Sequence, residues 1–279
     1  MIRLIQNELI KIFSKYRTYI SYAAILILMP LVFWGFSVGG SKMEAGMVDQ
    51  FRDSFIIVGS LFNGFLATYM TMNFLWVHIP FLVILVAGDV VAGEGAAGTF
   101  RIYLTRPVSR TRILISKLLA TYIYTTSLVA FFLLMSLGLG TLWLGGGDLT
   151  VMSRDGIIIY SSAEALLRFL LGFTFALVDL LVVAGLCFVL SSFVNNAIGP
   201  MIGAMSVLMI GLAVANIPID VFEQIKPWFF TTYFDIWQQA FLDPIPWNDI
   251  TFSLLILGGH LLVFAVLSLI AFNRKDILT

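Results

Sequence analysis

The stretch that decides the reading of this chain is Gly93-Glu94-Gly95-Ala96-Ala97-Gly98-Thr99-Phe100-Arg101-Ile102-Tyr103-Leu104-Thr105-Arg106-Pro107-Val108-Ser109-Arg110-Thr111-Arg112. It is polar and strongly basic, and a long apolar run lies on each side of it. Of the 279 residues 60% are hydrophobic and only 11% are charged, against roughly 25% in soluble domains, so the chain reads as an integral membrane protein. In such a chain the island is where a soluble partner finds a grip.

A bilayer core of about 30 Å takes about 20 apolar residues in helical form. Working outward from the island, six runs meet that length, at about 18–38, 68–91, 113–143, 166–192, 197–216 and 251–272. The third is longer than one straight crossing needs, so a tilt or a loosening near Gly138 and Gly140 is expected. A seventh span over 55–67 is rejected because it would carry the island to the opposite side of the membrane. Lys and Arg then set the orientation. With both termini cytoplasmic, the inner side holds Arg3, Lys11, Lys15, Arg17, Arg101, Arg106, Arg110, Arg112, Lys117, Arg274 and Lys275, eleven of the sixteen basic residues. The outer side holds Lys42, Arg52, Arg154, Arg168 and Lys226, and most of the acids. The expected fold is therefore all-α and membrane-integral: one domain over 1–279, with six transmembrane helices.

The N-terminus carries its own pattern. Ile5, Leu9, Ile12, Phe13 and Tyr16 share one helical face, and Arg3, Asn7, Lys11, Ser14 and Lys15 line the other. This predicts an amphipathic helix over about 3–17 in the inner-leaflet interface, its basic side toward lipid phosphates and cytosol. A continuous span would instead bury Lys11 and Lys15. On the outer side, 144–165 runs from Gly145-Gly146-Gly147 to Ile157-Ile158-Ile159 and reads as a short hairpin or cap. Residues 217–250 carry Trp228, Phe229, Phe230, Tyr233, Phe234, Trp237, Phe241 and Trp247, a composition that predicts an aromatic belt at headgroup level, with substrate gating as the sharper reading.

Several functions are excluded. Zero net charge argues against nucleic acid as a partner. His78 and His260 lie in apolar runs without metal-type spacing, so no catalytic or metal constellation forms. His78 precedes Pro80 by two residues and either satisfies backbone groups freed at a kink or relays protons. Cys187, the single cysteine, reads as a buried hydrophobe, without disulfide or metal chemistry. Gly35-Phe36-Ser37-Val38-Gly39-Gly40-Ser41-Lys42 nears a phosphate loop, but Ser41 intervenes before the lysine, Met43 follows it, and the segment falls on the outer side. No cofactor is expected in this chain, and any nucleotide must be bound by another. The long basic start, with no small-residue cleavage pattern after the first apolar run, predicts no cleaved signal peptide.

Asp179 sits mid-span, where an ionisable group is expensive. It is either a pathway-lining or dimer-interface carboxylate, or a structural acid bonded to a neighbouring helix or held neutral by burial. Within the island, Glu94 is placed to favour the N-terminus of a helix over Gly95–Arg101. Phe100, Tyr103 and Leu104 give that helix an apolar face, Pro107 ends it, and Ser109 caps the next one, which enters the membrane from Arg110. On these residues alone the island is either a cationic anchor for its two spans or a surface for a partner.

Glu94, Gly98-Thr99, Leu104, Arg106-Pro107-Val108-Ser109-Arg110 and Lys117, between the second and third spans, resemble the signature of ABC-2 type transporter permeases. The resemblance extends to the N-terminal interfacial helix, the six spans and the closing Phe272-Asn273-Arg274-Lys275-Asp276. Gly95-Ala96-Ala97 departs from it, since relatives more often carry charged residues there. The resemblance implies a type V exporter-like permease in a prokaryotic cytoplasmic membrane that exports or flips substrate. It implies pairing with a second permease, an identical copy or a related paralogue, and with two cytosolic ABC ATPase subunits, which would hold ATP and Mg, besides contact with membrane lipid and extracytoplasmic proteins. Residues 94–105 would be the coupling helix within the segment 93–112. Glu94, Gly98, Thr99, Phe100, Arg101, Leu104, Arg106, Pro107, Ser109 and Arg110 would be the contacts to the ATPase. The competing reading is a membrane scaffold that assembles extracytoplasmic machinery without moving a solute.

Overall fold

The computed structural model describes residues 1–51, 61–98, 108–153 and 156–275. Helix α1 (Ile2–Ser14) stops where Lys15 turns extended, and the Thr18 hydroxyl, donating to the Ile12 carbonyl, fixes the turn into α2 (Tyr16–Phe51). At 36 residues α2 is about 54 Å long, well beyond a bilayer core of about 30 Å, so it projects past the run expected from hydropathy. Residues 35–42 lie inside this helix, a backbone that cannot wrap a phosphate.

The second apolar run is helical but broken twice, into α3 (Gly64–Leu75), α4 (Ile79–Ala87) and α5 (Asp89–Ala96). Asn63 starts α3 by accepting from the Phe65 and Leu66 amides at 3.0 and 3.1 Å. The first break precedes Pro80, which has no N–H to continue the ladder. His78 does not repair it: its side chain is exposed, stacks on Phe74 and makes no cap hydrogen bond. The second break, at Gly88, is stitched from another helix. Ser191 Oγ donates to the Gly88 carbonyl at 2.8 Å and accepts from the Ala92 amide at 2.9 Å.

Helix α6 (Arg110–Leu144) runs unbroken through Gly138 and Gly140, against the expected loosening. Gly140 instead lets two backbones meet. A Cβ added at Gly64 of α3 would stand 2.3 Å from the Gly140 carbonyl oxygen, so only glycine fits there. The 144–165 segment is a hairpin, β1 (Leu149–Ser153) antiparallel to β2 (Gly156–Tyr160), registered from Leu149↔Tyr160 to Ser153↔Gly156. It is a small departure from an all-α fold. Next come α7 (Ser162–Phe193), capped by Ser161 and buried along most of its length, and α8 (Ile198–Asn216). The short α9 (Asp220–Glu223) leads into three 3-10 turns, Lys226–Trp228, Phe230–Tyr233 and Ile236–Phe241, and α10 (Trp247–Arg274) closes the bundle.

The aromatics expected to form a belt over 217–250 divide: Trp228, Phe229 and Trp247 are exposed, whereas Phe230, Phe234, Trp237 and Phe241 are core residues, as is Ile236. The segment folds back into the bundle, where side chains of other elements satisfy its irregular backbone. Trp76 Nε1 donates to the Phe234 carbonyl at 2.8 Å and the Tyr160 hydroxyl to that of Phe241 at 3.0 Å. Arg168 Nη1 donates to the Ala240 and Leu242 carbonyls at 3.2 and 2.7 Å. Among the described residues six helical stretches, Tyr16–Gly40, Ile79–Ala96 and helices α6, α7, α8 and α10, are long and apolar enough to cross a membrane, and the protein is a multi-pass, mainly helical membrane protein.

Candidate functional site

The densest charge chemistry lies where α1, α5 and the start of α6 meet. Glu8 is the one acid in α1, and it falls on the helix's apolar stripe, three residues after Ile5 and four before Ile12. That placement buries it, at 4% exposure. Lys117, one turn into the apolar part of α6, is fully buried. Its Nζ stands 2.7 Å from Glu8 Oε2 and 2.7 Å from Glu94 Oε2. Lys11 Nζ closes the circuit, 2.8 Å from Glu94 Oε1 and in contact with Glu8 Oε1. Two cations and two carboxylates thus alternate around a ring of zero net charge.

At an effective dielectric of about 20, each 2.7 Å contact carries ~6 kcal/mol of gross attraction, which mainly offsets the cost of taking the charges out of water. The ring is therefore a device of position more than of net stability, since it tolerates one arrangement of three helices. A second junction lies beside it. Asp89 binds Lys15 Nζ at 2.7 Å and Arg17 Nη1 at 3.1 Å, joining the turn between α1 and α2 and the first turn of α2 to the start of α5. A Cβ at Gly93 would stand 2.3 Å from Asp89 Oδ1, so this glycine keeps room for the carboxylate.

Two expectations are corrected here. Lys11 and Lys15 turn to Glu94 and Asp89 rather than to lipid phosphates, because fixed carboxylates inside the bundle offer shorter, less hydrated partners. Glu94 does not sit at a helix N-terminus among the described residues. It lies in the last turn of α5, which runs to Ala96 and ends at Gly98, whose φ of +66° is the left-handed terminator that glycine adopts without strain.

Of the sequence-predicted docking residues, Thr99, Phe100, Arg101, Leu104, Arg106 and Pro107 lie outside the described residues. Those flanking them are placed. Glu94 is in the ring and Gly98 ends α5. Ser109 caps α6 as expected, accepting from the Arg112 amide at 3.4 Å. Arg110 Nη1 donates to the Lys275 carbonyl at 3.1 Å, and Lys275 Nζ donates to the Ser192 and Val194 carbonyls at 3.3 and 2.8 Å. Partial burial holds the Lys275 ammonium below the usual lysine range. The described residues on either side of 99–107 are thus anchored, Glu94 through the ring and Arg110 through the ends of α7 and α10.

A family model described as a protein of unknown function (DUF2705) matches residues 23–278. The chain belongs to the DUF2705 family. It is also similar, at 24% identity over 99% of each chain, to the uncharacterized protein YhcI of Bacillus subtilis (strain 168). In this DUF2705 member the matched region includes Asp89, Glu94 and Lys117, whereas Glu8 and Lys11 lie before it.

Asp179 lies elsewhere, midway along α7. It is 1% exposed, and neither carboxylate oxygen has a hydrogen-bond partner among the described residues. Arg168, on the same helix, is engaged by Glu164 at 3.0 Å and Asp243 at 3.6 Å. The neighbouring-helix bond that would make Asp179 a satisfied structural acid is thus missing among the described residues. Cys187 is buried, as read from its apolar run. Sequence reasoning missed Glu8 and Asp89 as site residues. The signal for Glu8 was an acid on an apolar stripe, and Lys117, inside a span, required a partner of opposite charge.

Proposed function

We propose that this chain is the transmembrane permease subunit of an ABC transporter, driven by a separate cytosolic ATPase that docks on residues 94–105. The observation that carries this reading is the ring. Its members Glu94 and Lys117 bracket the basic island and tie both sides of it to α1. A segment that transmits mechanical work must be stiff at its base, and a buried alternating ring supplies that stiffness. On this reading the α1 end of the bundle faces the cytosol and the hairpin end faces outward. The permease then works as a pair, and closure of two ATPase subunits tilts α5 and α6. Lipid surrounds the apolar flanks of α2, α8 and α10.

The test is co-expression of the tagged chain with the ABC ATPase of a neighbouring reading frame. The wild-type chain should co-purify with it in detergent, and Phe100→Asp and Leu104→Asp should lose the ATPase while remaining membrane-inserted. Undiminished ATPase recovery with both variants would overturn the docking assignment.

A further inference from the structure

The refolded 226–241 segment leaves a cavity at the hairpin end of the bundle. It measures about 510 Å³, inside the roughly 300–1,000 Å³ typical of small-molecule sites. Its walls come from α3, β1 and the 3-10 turns. Tyr69, Tyr233 and Phe241 present aromatic rings, and Asp235 is the one charged group among the described lining residues. Asp235 is also exposed, so its carboxylate is available to a ligand. Gln239, in the same wall, carries a buried Oε1 with no hydrogen-bond partner among the described residues. Beyond Tyr69 and Met152, which line both spaces, lies a nearly apolar pocket of about 160 Å³ formed with Leu66, Met70 and Thr150.

The described lining holds no basic residue to offset Asp235, and Arg168 is already engaged by Glu164, Asp243 and two backbone carbonyls. Aromatic rings in the same wall as the Asp235 carboxylate favour a cationic occupant, because ring quadrupoles attract cations.

We propose that this cavity binds an amphipathic organic ammonium ion, its N–H groups on Asp235 and Gln239 and its apolar body toward Tyr69 and the adjoining apolar pocket. Only the further statement that such a cation is the cargo rests on the permease reading; the site itself does not.

The experiment uses the purified full chain, without any ATPase, in nanodiscs of zwitterionic phosphatidylcholine. Three probes share one fluorophore and differ only in the head: dansylcadaverine, its N-acetyl amide, and dansyl-aminohexanoate. Equilibrium dialysis should give saturable binding of the amine, at least about tenfold tighter than the amide or the carboxylate. Asp235→Asn should remove that preference, whereas Asp249→Asn, an exposed acid outside the cavity, should leave it intact. Equal binding of the three probes, or an amine affinity unmoved by Asp235→Asn, would overturn the site. Because no ATPase is present, that failure is separate from a failure of the docking assignment.

Discussion

Lys117→Met is the sharpest perturbation of the charge ring. The substitution keeps length and apolar volume but removes the ammonium that both Glu8 Oε2 and Glu94 Oε2 contact at 2.7 Å. Lys11 alone then faces two buried carboxylates, leaving a net charge of minus one where Glu8 is 4% exposed. Breaking a buried pair by removing one partner costs about 3–5 kcal/mol. At roughly 2–4 °C per kcal/mol, as for domains of comparable size, the thermal midpoint should fall by about 6–20 °C. The assay is intrinsic-fluorescence melting of the detergent-solubilised protein. The decisive arms are the double variants Lys117→Met/Glu94→Gln and Lys117→Met/Glu8→Gln. Each restores neutrality around Lys11, and each should recover more than half of the loss. If Lys117→Met melts within about 2 °C of wild type, or if neither double variant improves on it, the ring is not the electrostatic unit described.

Two further outcomes are expected. Gly64→Ala drives a methyl into the Gly140 backbone and should cost about 1–3 kcal/mol or more. Gly138→Ala, with nothing within 4 Å, should be neutral or stabilising by about 0.5–1 kcal/mol; equal melting of the two variants would refute the backbone-contact argument. Arg168→Met frees the Ala240 and Leu242 carbonyls and removes the guanidinium held 4.6 Å from the Tyr160 ring centroid. Chymotrypsin should then cut faster at Phe230, Tyr233 and Phe234, and an unchanged cleavage rate there would show that Arg168 does not hold the refolded segment.

How much was legible in the sequence differs from element to element. Each of the six apolar runs overlaps a helical stretch long enough to cross a membrane, because that depends on a local sum of apolar residues. The second, read as 68–91, is broken, however, and its long apolar stretch is Ile79–Ala96. Ser109 was legible as a cap for a similar reason, since its bond reaches only three residues ahead. The hairpin was readable from glycines followed by β-branched residues. The aromatic stretch 226–241 misled, because its composition suits a headgroup belt as well as a core. Its fate depended on donors in Trp76, Tyr160 and Arg168, each more than seventy residues away. Glu94 misled likewise: its position in α5 follows from the break at Gly88, which Ser191 repairs from a different helix.

The sequence by itself determined a greasy multi-span chain with one basic island, bordered by Glu94 and Lys117, since length, hydropathy and charge are properties read along the chain. Only the tertiary structure decided which charges answer one another. Lys11 finds Glu94 across 83 positions and Lys117 finds Glu8 across 109. In a low dielectric, partner choice is set by distances of a few ångströms, and those exist only once the helices have packed. The described residues on either side of 99–107 are tied to α1 through Glu94 and Lys117 and to the end of α10 through Arg110.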